Sequence, residues 1–178
     1  MRNHTVILVF ILTVTAAFFV GCSAPAPQGG GGAAEVHANL GQLMKGVFYI
    51  NANVIFAAQG TDPATITSAG DSSVSPNALT STYGKWEAVE NSAMAMVEGA
   101  NLLILPGRKC ANGKDVPIGN PDWAGFVQGV RDAGMKAYAA AQAKNQDQIL
   151  DAAEAITTAC SNCHDQYREK PTLDERCM

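Results

Sequence analysis

Basic residues are scarce in this 178-residue chain: 12 Lys and Arg stand against 16 Asp and Glu, a net charge of −4 with neutral histidines. They form no patch, which argues against a nucleic-acid partner. Aromatic residues make up only 7%, so the domain is rich in alanine and glycine rather than in large rings. No stretch of alternating apolar and polar residues reads as a confident strand, and no internal repeat is present. The apolar run Val6 to Val20 is short for a membrane span. Cysteine is sparse as well: of five residues, Cys22, Cys110 and Cys177 stand alone.

The other two lie in Cys160-Ser161-Asn162-Cys163-His164, and here the sequence becomes specific. C-x-x-C-H is the attachment signature of c-type haem, in which two thiols form thioethers to the porphyrin vinyl groups and the histidine binds iron. On a helix, positions i, i+3 and i+4 share one face, so both sulfurs and the imidazole point the same way. A structural zinc site would want a second ligand pair at similar spacing, and the chain offers only Cys110, Cys177 and the distant His37. A thioredoxin-like C-x-x-C expects a βαβ setting, which is missing around residue 160. One covalent haem c is the expected cofactor.

The N-terminus supplies a matching compartment. Arg2 precedes the apolar run, which has the length of a signal h-region, and Gly21-Cys22 closes it. Gly-Cys at that point resembles the bacterial lipobox, although Phe19 departs from the usual aliphatic residue. The resemblance implies a signal peptide over residues 1–21, lipidation of Cys22, and a membrane-anchored lipoprotein of the periplasm or cell envelope. An ordinary cleaved signal is the alternative. Residues 22–34, rich in Pro, Gly and Ala, read as a flexible tether, and residues 35–178 as one domain with its own core. Lipid and haem account for three cysteines; Cys110 and Cys177 are left over in an oxidising compartment, where disulfides persist.

Periodicity predicts four helices in that domain. The first spans about Glu35 to Gln59, with Val36, Leu40, Leu43, Met44, Val47, Asn51, Val54, Ile55 and Ala58 on one stripe. The second spans about Tyr83 to Leu105, its apolar face being Trp86, Val89, Ala93, Met96, Val97, Ala100 and Ile104. The third runs from about Asp122 to Lys144 with Trp123, Phe126, Val127, Val130, Ala137, Tyr138 and Ala141 inward. The fourth runs from about Gln146 to Lys170, where Pro171 ends it. Its stripe of Ile149, Ala152, Ala153, Ile156, Cys160, Cys163, His164 and Tyr167 puts the motif on the buried face. Gly60 to Thr82 and Pro106 to Asn120 read as loops, and the short turn at Asn145 makes the last two helices antiparallel neighbours.

Four helices with C-x-x-C-H on the last one resemble the class II c-type cytochromes, the group of cytochrome c′ and its low-spin relatives. The resemblance implies an all-α, antiparallel four-helix bundle with haem c on the C-terminal helix. In such a bundle the second and fourth helices end together, which brings Cys110 and Cys177 within reach of a disulfide. The long loops and this cysteine pair depart from the simplest pattern of the group.

In the low-spin members a methionine of the first helix binds iron opposite the histidine, whereas cytochrome c′ leaves that position open. Met44 sits on the first stripe at about the height of His164, and is expected to be the distal ligand. His37, one turn from the start of that helix, is the alternative. Met96 suits packing better, and Met94 and Met135 fall off their stripes. With Met44 bound, the protein is expected to be a one-electron carrier with a redox partner protein and not an enzyme; a haem enzyme is the third reading, since no distal His/Arg pair or acid–base constellation accompanies the motif. Asp165 and Glu169 read as a solvated face. With the position open, it is a five-coordinate protein that binds NO or CO. The membrane is met through the lipid anchor, and a homodimer is among the assemblies left open.

Overall fold

A computed structural model describes residues 34–177. The apolar run, Cys22 and almost all of the tether lie outside the described residues.

Among the described residues the structure is helical, with no strand beyond a single antiparallel bridge, Lys109 to Asp115. The first helix, α1, joins an α-helical start, Leu40–Leu43, to a π-helical turn, Met44–Tyr49, and an α-helical remainder, Ile50–Gly60. Helix α2 is Lys85–Gly99 with a 3-10 extension, Ala100–Ile104. Helices α3, Trp123–Gln142, and α4, Gln146–Tyr167, complete the set.

Local chemistry fixes the ends. Asn39 and Gln42 form a reciprocal capping box, each side chain meeting the other's backbone N–H at 2.8 and 2.9 Å. The first helix therefore begins at Leu40 and not near Glu35, and both Val36 and His37 precede it. Helix α3 stops with Lys144 at φ 51°, where Lys144 N–H donates to Ala141 O and Asn145 N–H to Ala140 O, a Schellman arrangement. Asn145 then caps α4 by accepting from Gln148 N–H at 3.1 Å. The predicted loop Gly60 to Thr82 contains three 3-10 turns, each started by an Asp or Asn side chain: Asp62, Asp71 and Asn77.

Helix α1 packs on α2, α2 on α3, α3 on α4, and α4 back on α1. One core lies between them. Ile55, Val89, Ala93, Ala137, Ile149 and Ile156 are fully buried, and each isoleucine or valine contributes about 1.5–3 kcal/mol. Small residues let the helices approach. A side chain at Gly99 would meet Val47 Cγ1 at 3.1 Å and Phe48 Cζ at 3.4 Å, which holds the end of α2 close against the π turn.

Two stripes differ from the sequence reading, both where the helix leaves α geometry. In α1 the buried residues are Leu40, Leu43, Phe48, Ala52, Ile55 and Ala58. Val47 and Asn51, expected inward, are half-buried, and Phe48 and Ala52 take their places. A π turn accommodates one extra residue, so the inward face moves one position along the chain. In the 3-10 end of α2, Leu103 is buried and Ile104 is 44% exposed. Three residues per turn carry the face from Ala100 to Leu103. The other two stripes match the expected faces closely.

Arg108 was not anticipated. It is 5% exposed, and its guanidinium donates to Ala38 O at 2.5 Å and Leu102 O at 3.1 Å. Leu40 N–H donates to Lys109 O at 2.8 Å alongside it. This segment thus ties the start of α1 to the chain leaving α2.

Candidate functional site

Helix α4 is an alanine-rich segment whose inward face is buried as far as Ala159. Beyond Ala159 the face opens: Cys160, Cys163, His164 and Tyr167 are all half-buried. The reason is a cavity of about 310 Å³ against which these side chains end. The opposing walls come from every other helix: Leu40, Met44, Phe48, Ala52 and Phe56 from α1, Leu103 from the end of α2, and Trp123, Phe126, Val127 and Val130 from α3. Such a volume lies at the lower end of the roughly 300–1,000 Å³ typical of small-molecule sites.

The cavity is apolar because the polar atoms around it are engaged elsewhere. Trp123 Nε1–H donates to Leu103 O at 3.1 Å. Tyr167 stands edge-on to Trp123 and Phe126, with ring centroids 5.0 and 6.1 Å apart. Its hydroxyl donates to Asp122 Oδ1 at 2.5 Å and accepts from Asn120 Nδ2 at 3.1 Å. Thr157 donates to Ala153 O in its own helix. Arg168 is the one Lys, Arg, Asp or Glu side chain in the wall, and its Nε donates to Glu169 Oε1 at 2.6 Å.

Burial sets the protonation states. It pushes the Cys163 thiol up to about 11, helped by the nearby Cys160 and Asp122. Burial raises the Cys160 thiol too, with Arg168 pulling partly back. Both thiols stay protonated at neutral pH, the reverse of the lowered thiol of a thioredoxin-type pair. Burial, and after it the charge of Arg168, holds His164 below the usual histidine range, so its neutral, ligand-competent form dominates at neutral pH.

The structure brings Met44, Cys160, Cys163 and His164 together around one cavity. His37 is elsewhere: it is 79% exposed, 3.9 Å from Glu35, and is not part of the cavity wall. Met96 is 1% exposed and also outside the wall, Met94 is half-buried, and Met135 is 46% exposed. Cys110 and Cys177 are joined by a disulfide with Cα atoms 4.8 Å apart, and Cys177 also borders the cavity. Among the described residues no group of three or more His, Cys, Asp and Glu side chains is arranged to hold a metal ion, and no helix is long and apolar enough to cross a membrane.

Sequence reasoning missed Phe48, Ala52, Phe56, Leu103 and Thr157 of the wall. The first two and Leu103 were hidden by the π and 3-10 turns; Phe56 and Thr157 lay beside a predicted stripe, where a wide cavity reaches residues that a narrow seam does not. No protein-family model, curated protein or solved structure matches this chain.

Proposed function

We propose that the four helices form an antiparallel bundle whose cavity takes one covalently attached haem c, and that the protein is a one-electron carrier of the cell envelope, anchored through a lipid on Cys22. A single observation carries this: the C-x-x-C-H residues of α4 and Met44 of α1 border the same apolar cavity. Each helix packing on the next, and the last on the first, is what an up-down-up-down bundle requires.

The residues fit the group. The His164 imidazole and the Met44 thioether are too few ligands for a bare metal ion, but they would suffice for an iron already held in a porphyrin. Cys160 and Cys163 would hold the porphyrin through thioethers, for which two protonated, free thiols are available. His164 would be the proximal ligand and Met44 the distal one. When bound, haem supplies a one-electron iron couple, whose reduced state a methionine ligand favours. Phe48, Phe56, Trp123, Phe126 and Val130 would pack an apolar wall against the group. An iron held by both His164 and Met44 would suit one-electron transfer.

The test is attachment itself. Expressed with a periplasmic haem-maturation system, the full chain should keep its haem through acid–acetone extraction and denaturing electrophoresis. His164→Ala should impair maturation. Haem that washes out of correctly processed protein would overturn the proposal.

A further inference from the structure

Cys177 has two neighbourhoods. Its sulfur is bonded to Cys110, and the residue also borders the cavity shared by Cys160 and Cys163. Cys110 is different: it is 2% exposed and not part of the cavity wall. The tail that carries Cys177 is held near the end of α4 by contacts independent of the disulfide. Cys177 N–H donates to Tyr167 O at 2.8 Å, and Arg176 Nε to Lys170 O at 2.7 Å. Asn112 Nδ2 donates to the carbonyls of Asp174 and Arg176 at 2.9 and 2.8 Å, and Lys114 Nζ meets Asp174 Oδ2 at 2.8 Å. Without Cys110, these contacts would leave a free thiol at the edge of the attachment site.

We propose that the Cys110–Cys177 bond keeps this third thiol from pairing with Cys160 or Cys163, and so preserves both sulfurs for covalent attachment. The competing reaction balances simply. In an oxidising compartment the Cys177 thiol and one motif thiol lose two protons and two electrons to a small-molecule or protein disulfide, which is reduced to two thiols. A sulfur–sulfur bond then occupies a motif cysteine, which has no thiol left to add to a vinyl group. The consequence for haem rests on the proposed function above, whereas the pairing chemistry does not.

The two cysteines of the bond should therefore be unequal. The experiment compares the full chain with Cys110→Ala, Cys177→Ala and the double variant, each exported in the presence of the maturation system. Alkylated, unreduced protein is mapped by mass, and covalent haem is quantified. Cys110→Ala should show Cys177 linked to Cys160 or Cys163 and a several-fold loss of covalent haem. Cys177→Ala and the double variant should show no such link and attach haem as the unaltered chain does, although they lack the same bond. A purely structural bond predicts equal losses in all three, and that outcome, or an absence of the link in Cys110→Ala, would overturn the proposal. The map is read in denaturant, so it needs no folded variant. Should the unaltered chain carry no covalent haem while Cys110→Ala shows the link, the haem proposal and the role in attachment fail, and the bond's control of cysteine pairing stands.

Discussion

Trp123 and Tyr167 both direct their polar tips away from the cavity they line, and at Trp123 the arrangement is fully buried. The indole N–H satisfies the Leu103 carbonyl, so removing it leaves an acceptor without water or partner. Trp123→Phe should cost about 1–3 kcal/mol, a drop in thermal midpoint of roughly 2–4 °C per kcal/mol for a domain of this size. Tyr167→Phe should cost less, because the Asp122 and Asn120 side chains it leaves without a partner are exposed and meet solvent. Thermal unfolding followed by circular dichroism distinguishes them; equal losses would mean that the buried indole bond contributes little. The same contrast separates His164 from His37. One is a half-buried imidazole against an apolar wall, the other a solvated side chain ahead of a helix cap.

At the scale of the helix, the π turn in α1 determines which residues face the cavity. Met44 opens the widened turn, Phe48 lies within it and Ala52 follows it, and all three border the same space. Gly46, exposed and with open space around it, lies inside the turn. Deleting Gly46 should restore a plain α-helix with both flanks in place, and the protein should fold with its thermal midpoint nearly unchanged. Asn53 is likewise exposed but sits in the α-helical part. Its deletion should rotate the start of the helix by about 100° and destabilise the domain by several kcal/mol. If both deletions are equally damaging, the π turn is not a one-residue insertion in an otherwise regular face. This element also shows how far the sequence could be read. Periodicity located all four helices, and it placed Cys160, Cys163 and His164, found by their C-x-x-C-H spacing, on one face of the last because that helix is regular. It misassigned Val47, Asn51 and Ile104 because an α period was applied across turns that are not α. A signal for the start of α1 lies in Asn39-x-x-Gln42, a capping pattern that periodicity, continuing back to Val36, does not register. Nothing local announced Arg108, whose two carbonyl partners come from segments far apart in sequence.

Across the described domain, each helix packs on the next, and the C-x-x-C-H residues Cys160, Cys163 and His164 border a cavity walled by all four. Cys110 and Cys177 are 67 residues apart, and closing a loop of that length contributes about 4 kcal/mol in the chain-entropy model, useful to a small fold with a cavity in its core. Under the proposed function, Met44 and His164 share one iron in that cavity. The most direct measurement is the visible spectrum of the oxidised and reduced full chain, unaltered and as Met44→Ala. The unaltered protein should be low-spin in both states, show the weak charge-transfer band of methionine-ligated ferric haem, and resist CO. Met44→Ala should lose that band and bind CO. A high-spin unaltered protein that takes up CO or NO readily would contradict the claim and make the chain a gas-binding protein; a low-spin spectrum that survives Met44→Ala but not His37→Ala would assign the ligand to His37.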